Sequence, residues 1–201
     1  MRIPIAILAT VAAIAFGTPA FAQDSDNSFT GPRVEVTTAY DSTQYDDGLA
    51  ATPNTLESVR IGGTIGYDVA LGDIVTVGVE AGGGYSVSGN VSGAAGTTSY
   101  RITGGYDLDA SVRVGARVTP TTLLYVKGGY ANSEFRLRTT VGGTTGNTIT
   151  TVSDDEDGWR VGAGVEQAFG EHFYAKAEYR YTDYGSDVSR HQGLVGLGYR
   201  F

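Results

Sequence analysis

Ser189 and His191 come nearest, in this chain, to a nucleophile beside a base. Two apart in an extended segment, they share one outward face near a rim. Asp183 and Asp187 lie close in sequence. A serine, a histidine and an acid are the parts of acyl-transfer chemistry, and on an outer rim they would meet lipid esters. The same residues read more simply as interfacial polar groups with no chemistry, and His172 sits alone in a turn. A second candidate is the acidic run Asp154, Asp155, Glu156 and Asp157, whose oxygens suit a hard divalent cation. It lacks the Asx-x-Asx-x-Asx-Gly spacing of an EF-hand loop, so no metal is assigned, and no cofactor. The largest set is a series of charges spaced two apart from each other or from glycine: Arg33, Glu35, Arg60, Glu80, Asp109, Arg113, Arg117, Lys127, Arg160, Glu166, Lys176, Glu178, Arg180 and Arg200, with Asp68 and Asp107 in the same phase. Enclosed together, they form an ion-paired network or line a narrow polar passage.

Strands must position these residues. Reading back from Phe201, the residues Tyr199, Leu197 and Val195 alternate with Arg200, Gly198 and Gly196, a period of two; Leu194 is the exception on the second face. The same alternation predicts strands over 32–40, 58–68, 74–85 and 100–118. In the last of these, Leu108, Ala110, Val112, Val114, Ala116 and Val118 oppose Asp107, Asp109, Ser111, Arg113, Gly115 and Arg117. A fifth strand sets Leu124, Val126 and Tyr130 against Tyr125, Lys127 and Gly129 and continues through Phe135 and Leu137. A sixth starts at Trp159, and a seventh sets Phe173, Ala175, Ala177 and Tyr179 against Tyr174, Lys176, Glu178 and Arg180. Tight turns are expected at Leu71-Gly72-Asp73, Thr119-Pro120-Thr121 and Phe169-Gly170-Glu171. Polar loops are expected over 41–57 (with Asp46-Asp47-Gly48), 86–99 and 141–158 and at Tyr184-Gly185-Ser186.

Composition narrows the class. With no cysteine there is no disulfide framework and no thiol chemistry. The 30 glycines among 201 residues are about twice the usual share of about 7%. A formal net charge of −8 argues against nucleic acid as a partner. Met1-Arg2, an apolar run from Ile3 to Phe16 and the small-x-small site Ala20-Phe21-Ala22 form a secretory signal over 1–22, too short to span a bilayer. Residues 23–31 are a short polar lead.

Eight strands with alternating short and long connections suit an antiparallel transmembrane β-barrel with short turns on one side and long loops on the other. Tyr40, Tyr85, Tyr130, Trp159 and Tyr181 fall toward the loops, and Tyr67, Phe173, Tyr199 and Phe201 toward the turns, as two interfacial girdles. In hydrocarbon no open sheet edge is tolerated, so the first strand must bond to the last. A lumen of eight strands is only wide enough for side chains to fill, and inward glycines leave volume for the long charged ones. Arginine placed at Val112 or Val161 is expected to block assembly. A soluble secreted barrel is the rival fold; it would put Glu80, Arg113, Lys127 and Glu178 into an apolar core.

Gly31-Pro32 with its Val-x-Val strand, Val77-Gly78-Val79-Glu80-Ala81-Gly82, Tyr125-Val126-Lys127-Gly128-Gly129-Tyr130 and Ala177-Glu178-Tyr179-Arg180-Tyr181 resemble the small eight-stranded outer-membrane barrels of Gram-negative bacteria, the OmpA-like and opacity-type porin family. The resemblance covers 32–201. It implies that Val195, Leu197, Tyr199 and Phe201 are the signal read by the barrel assembly machinery. It also implies an outer-membrane location among lipid and lipopolysaccharide, both termini periplasmic, and external loops that meet host or cell-surface ligands. Lipid A deacylases of similar size use a His-x-Ser order, whereas this chain reads Ser-x-His. The expected function is non-enzymatic, in envelope integrity and surface interaction; a small low-conductance porin and a rim esterase are the alternatives.

Overall fold

A computed structural model describes residues 29–45, 54–89, 91–95, 98–143, 146–185 and 188–201. The expected leader at 1–22, most of the lead, Asp46-Asp47-Gly48 and Asp187 lie outside the described residues. The strands are β1 (Gly31–Tyr45), β2 (Asn54–Leu71), β3 (Val75–Ser88), β4 (Val91–Ala95), β5 (Thr98–Thr119), β6 (Thr122–Gly143), β7 (Gly146–Phe169), β8 (Phe173–Asp183) and β9 (Val188–Arg200). All pairings are antiparallel. β1 bonds to β2 on one side and to β9 on the other, and β3 bonds to β5, so eight long strands close into a barrel. β4 is a short addition that continues the β3 edge along the outer part of β5.

The two faces carry opposite chemistry. Val36, Leu197 and Val112 are 68%, 70% and 53% exposed, while Arg33 and Arg113 are 1% exposed. Apolar groups point out and charges point in, the reverse of a water-soluble protein and the arrangement lipid demands. On β7 the outward aromatics Trp159 and Phe169 are ten residues apart, which at about 3.4 Å per residue and a tilt of about 40° gives an apolar band of roughly 26 Å.

The strands run further than their alternation predicts. β6 and β7 pair without a break out to Gly143↔Gly146, so the expected loop over 141–158 is mostly a protruding hairpin, and the acidic run lies in β7 opposite Asn132, Ser133, Glu134 and Phe135. Past the bilayer, cross-strand hydrogen bonds and β-branched Thr, Val and Ile sustain pairing without an apolar face, so the lipid-facing period no longer marks the strand. For the same reason β1 and β2 extend into the expected loop over 41–57, and β4 forms inside the expected loop over 86–99. A bulge in β5 between Gly104 and Asp107, opposite Glu134, marks where the extension departs from the barrel wall.

At the turn end, Gly31 has φ +93° and a Cβ there would lie 3.0 Å from the Phe201 carbonyl oxygen. Only glycine fits comfortably. The bend carries Phe29 into the barrel mouth against Leu123 and Ala168, so part of the polar lead is a buried apolar stop.

Candidate functional site

Inward positions of all eight long strands place a connected set of ion pairs in the lumen. Asp68 on β2 accepts from Arg33 Nε (3.0 Å), Arg113 Nε (2.8 Å) and Arg200 Nη1 (2.8 Å). Glu166 on β7 takes Arg113 (3.0 Å) and Arg200. Arg33 reaches Glu80 (2.5 Å) and Glu35, and Glu35 meets Lys176 and the Tyr174 hydroxyl (2.7 Å). Lys127 joins Glu80 to Glu178 (2.9 Å), and Glu178 also holds Arg180 and the Tyr125 hydroxyl (2.5 Å). Arg180 leads to Asp109 (3.6 Å), Asp109 to Arg160 (3.0 Å), and Arg160 to Asp107 (2.9 Å), which also takes Arg190 (3.2 Å). Arg33–Glu80, Lys127–Glu178 and Arg190–Asp107 join strands that are not neighbours in the sheet, so these bonds cross the interior, while Arg33–Glu35 and Arg180–Glu178 each lie within one strand. Buried ions carry a desolvation penalty of several kcal/mol each, and shared, multiply bonded partners offset it.

Of the fourteen charges expected in the lumen, all but Arg117 are buried. Arg117 is half-buried at the end of β5, opposite Leu123 and beside the turn, so the alternation is right in phase but runs past the enclosed part of the barrel. Two charges were missed. Asp41, assigned to a loop, is fully buried and binds Arg60 (2.9 Å) and Gln192 Nε2 (2.9 Å). Arg190, at the start of the last strand, is 1% exposed. With these exchanged for Arg117, the expected basic excess narrows to nine basic against eight acidic inward groups among the described residues. Tyr184, expected in a loop, is buried with its hydroxyl 2.8 Å from Ser133 Oγ and its ring under Arg190. A small cavity between β1, β2, β5, β8 and β9 is lined by Thr37, Thr64, Asp109, Arg180 and Gln192.

The outer face carries the remaining candidates. His191 Nδ1 lies 2.5 Å from the Tyr179 hydroxyl, and the ring packs on Tyr181. Ser189 sits two residues further along β9, about 7 Å at the strand repeat, opposite Gln44 and Asp183. The histidine is therefore brought to tyrosines, not to the serine. His172 stacks on Tyr199 at the turn end. Asp157 takes Asn132 Nδ2 (2.7 Å) and Asp155 takes the Tyr106 hydroxyl (2.9 Å), so these two acids are held within the sheet. Above them Arg136 donates to Glu134 (2.8 Å), and that hydrogen bond raises its pKa further. Of the residues expected to form an assembly signal, Val195, Leu197 and Phe201 face outward, and Phe201 N donates to Pro32 O (3.0 Å) across the closing seam.

Known proteins share this architecture. A family model described as outer membrane protein beta-barrel domain matches residues 8–201. The 25 kDa outer-membrane immunogenic protein of Brucella ovis is 29% identical over 129 residues, 64% of this chain and 57% of the relative. The 31 kDa outer-membrane immunogenic protein of Brucella melitensis is 29% identical over 152 residues, 68% of this chain and 63% of the relative. This chain thus spans less than two thirds of the length of either. Among solved structures, Ail, the attachment invasion locus protein of Yersinia pestis, superposes with a TM-score of 0.53 at 16% identity, covering 86% of this chain and 100% of that one. Neisserial surface protein A gives 0.55 at 16% identity, covering 86% and 98%. At these identities the likeness is one of fold. Charged interior, apolar wall, closed register and family match agree: the chain belongs to the outer-membrane protein β-barrel domain family of Gram-negative bacteria.

Proposed function

We propose that this chain is a non-enzymatic barrel whose lumen is closed by its ion pairs, and whose work is to strengthen the envelope and to present external loops for surface contact. One observation carries the reading: the unbroken succession of ion pairs from Arg200 near the turn end to Arg190 near the loop end. Phe29 at one mouth and Tyr184 at the other support it, as does the near balance of inward charge. The relatives' description as immunogenic fits exposed loops, and the Ail structure in complex with the heparin analogue sucrose octasulfate is a precedent, in a similar fold, for an external ligand. In this reading residues 1–22 are removed on export, both termini face the periplasm, and the closing strand through Phe201 is read by the assembly machinery.

The test is single-channel recording of the refolded mature chain in a planar bilayer. No steady conductance steps are expected from protein shown to be folded and inserted. Steady, ion-selective steps that change with Arg113→Ala would replace this reading by that of a small porin, which the lumen cavity favours. A rim esterase finds less support, because His191 Nδ1 is already engaged by Tyr179.

A further inference from the structure

Like charges directly opposite one another on a sheet repel, and the described residues place four such pairs in register. Arg33↔Arg200 share Asp68, and Arg113↔Lys127 are each paired with carboxylates. Glu134↔Asp155 are answered by Arg136 and the Tyr106 hydroxyl. The fourth pair, Arg101↔Arg138, has no carboxylate partner among the described residues. Both side chains are exposed on the outward face of the β5–β6 extension, with Arg136 next on the same face. Their cross-strand neighbours are Ser92, Thr103, Thr151 and Ser153, all hydroxyls. In a chain of net charge −8, two facing arginines in a field of hydroxyls are complementary to a bound anion.

Height selects the anion. Arg136 and Arg138 lie six and eight residues beyond the girdle residue Tyr130 on β6, about 15 to 20 Å above it at the usual rise and tilt. Nearer the girdle the same face is acidic, through Asp157, Asp155 and Glu134. That level disfavours phosphates at the acyl boundary, whereas the arginines stand level with the sugars of an outer-leaflet glycolipid. They also face sideways into that layer. We propose that Arg101 and Arg138, flanked by Arg136, form a phosphate-binding face that seats a phosphorylated sugar of the surrounding glycolipid. This rests on the reading that the long hairpins are external.

The experiment uses the mature chain refolded in detergent, with folding checked by heat-modifiable gel mobility. Retention of phosphorylated lipopolysaccharide after affinity capture is measured for the wild type, Arg101→Gln/Arg138→Gln and Arg101→Lys/Arg138→Lys. The same glycolipid after dephosphorylation and inositol hexakisphosphate serve as further probes. A loss of about tenfold or more in the Gln variant, partial retention in the Lys variant and weak retention of dephosphorylated glycolipid are expected. Equal retention by wild type and Gln variant would overturn the proposal. So would hexakisphosphate binding as tightly as the glycolipid, which would make this a soluble-polyanion site. The orientation is tested separately, by labelling Arg138→Cys on whole cells with an impermeant thiol reagent; absent labelling would sink the external reading while leaving phosphate binding measurable.

Discussion

Gly78 faces the lumen against Asp68, and a Cβ built on it would overlap the Asp68 carboxylate and stand 2.9 Å from the Tyr67 carbonyl oxygen. The missing side chain is what lets Asp68 sit between Arg33, Arg113 and Arg200. Gly78→Ala should therefore displace Asp68 and destabilise the refolded barrel by about 1 to 3 kcal/mol, as overpacking does, read from urea unfolding. Asp68→Ala acts on the same triplet from the other side. It leaves three buried guanidiniums short of an acceptor, so a loss of about 3 to 5 kcal/mol is expected. An Asp68→Ala barrel as stable as the wild type would show that water, not this carboxylate, satisfies the arginines.

Single strands carry different predictions. On β5 the outward Val112 lies midway between Tyr106, which stands opposite the girdle residue Tyr85, and the turn at Thr119, while on β7 the outward Val161 is one lipid-facing step from Trp159. Val112→Arg should cost about 2 to 4 kcal/mol and Val161→Arg about 0 to 1, because the penalty falls toward the interface. The sequence alone predicts a block at both positions; the strand ends distinguish them. The β6–β7 extension stands outside the apolar band and pairs with itself and, along β6, with the start of β5. Replacing residues 138–151 by an Asn-Gly turn should leave the folded, heat-modifiable band intact. Loss of that band would mean that the extension is needed for folding the barrel.

Closure belongs to the whole molecule. β1 and β9 register from Arg33↔Arg200 to Tyr45↔Val188, and the Phe201–Pro32 hydrogen bond finishes the seam. An unclosed edge would leave backbone groups unpaired in hydrocarbon, each costing several kcal/mol. Deleting Phe201 should accordingly lower the fraction of chain recovered as folded barrel in outer membranes, measured by unboiled gel mobility of membrane fractions. An unchanged fraction would remove Phe201 from the insertion signal.

What the sequence determined by itself is the barrel wall. Strict alternation from Asp107 to Val118 or from Phe173 to Tyr181 leaves one answer for which face meets lipid, because a slip of one residue would move every charge outward. It also placed most of the lumen charges, since the phase that exposes Val112 buries Arg113. Tertiary structure alone decided where enclosure ends and who pairs with whom. Arg117 has the inward phase but lies beyond the closed part, and Asp41, Arg190, Phe29 and Tyr184 lie in stretches whose burial comes from strands far away in the chain. The outer hairpins escaped because their pairing rests on hydrogen bonds and β-branched residues, which leave no lipid-facing period to read. Register, finally, set Arg101 opposite Arg138, and no local pattern in either segment announces that meeting.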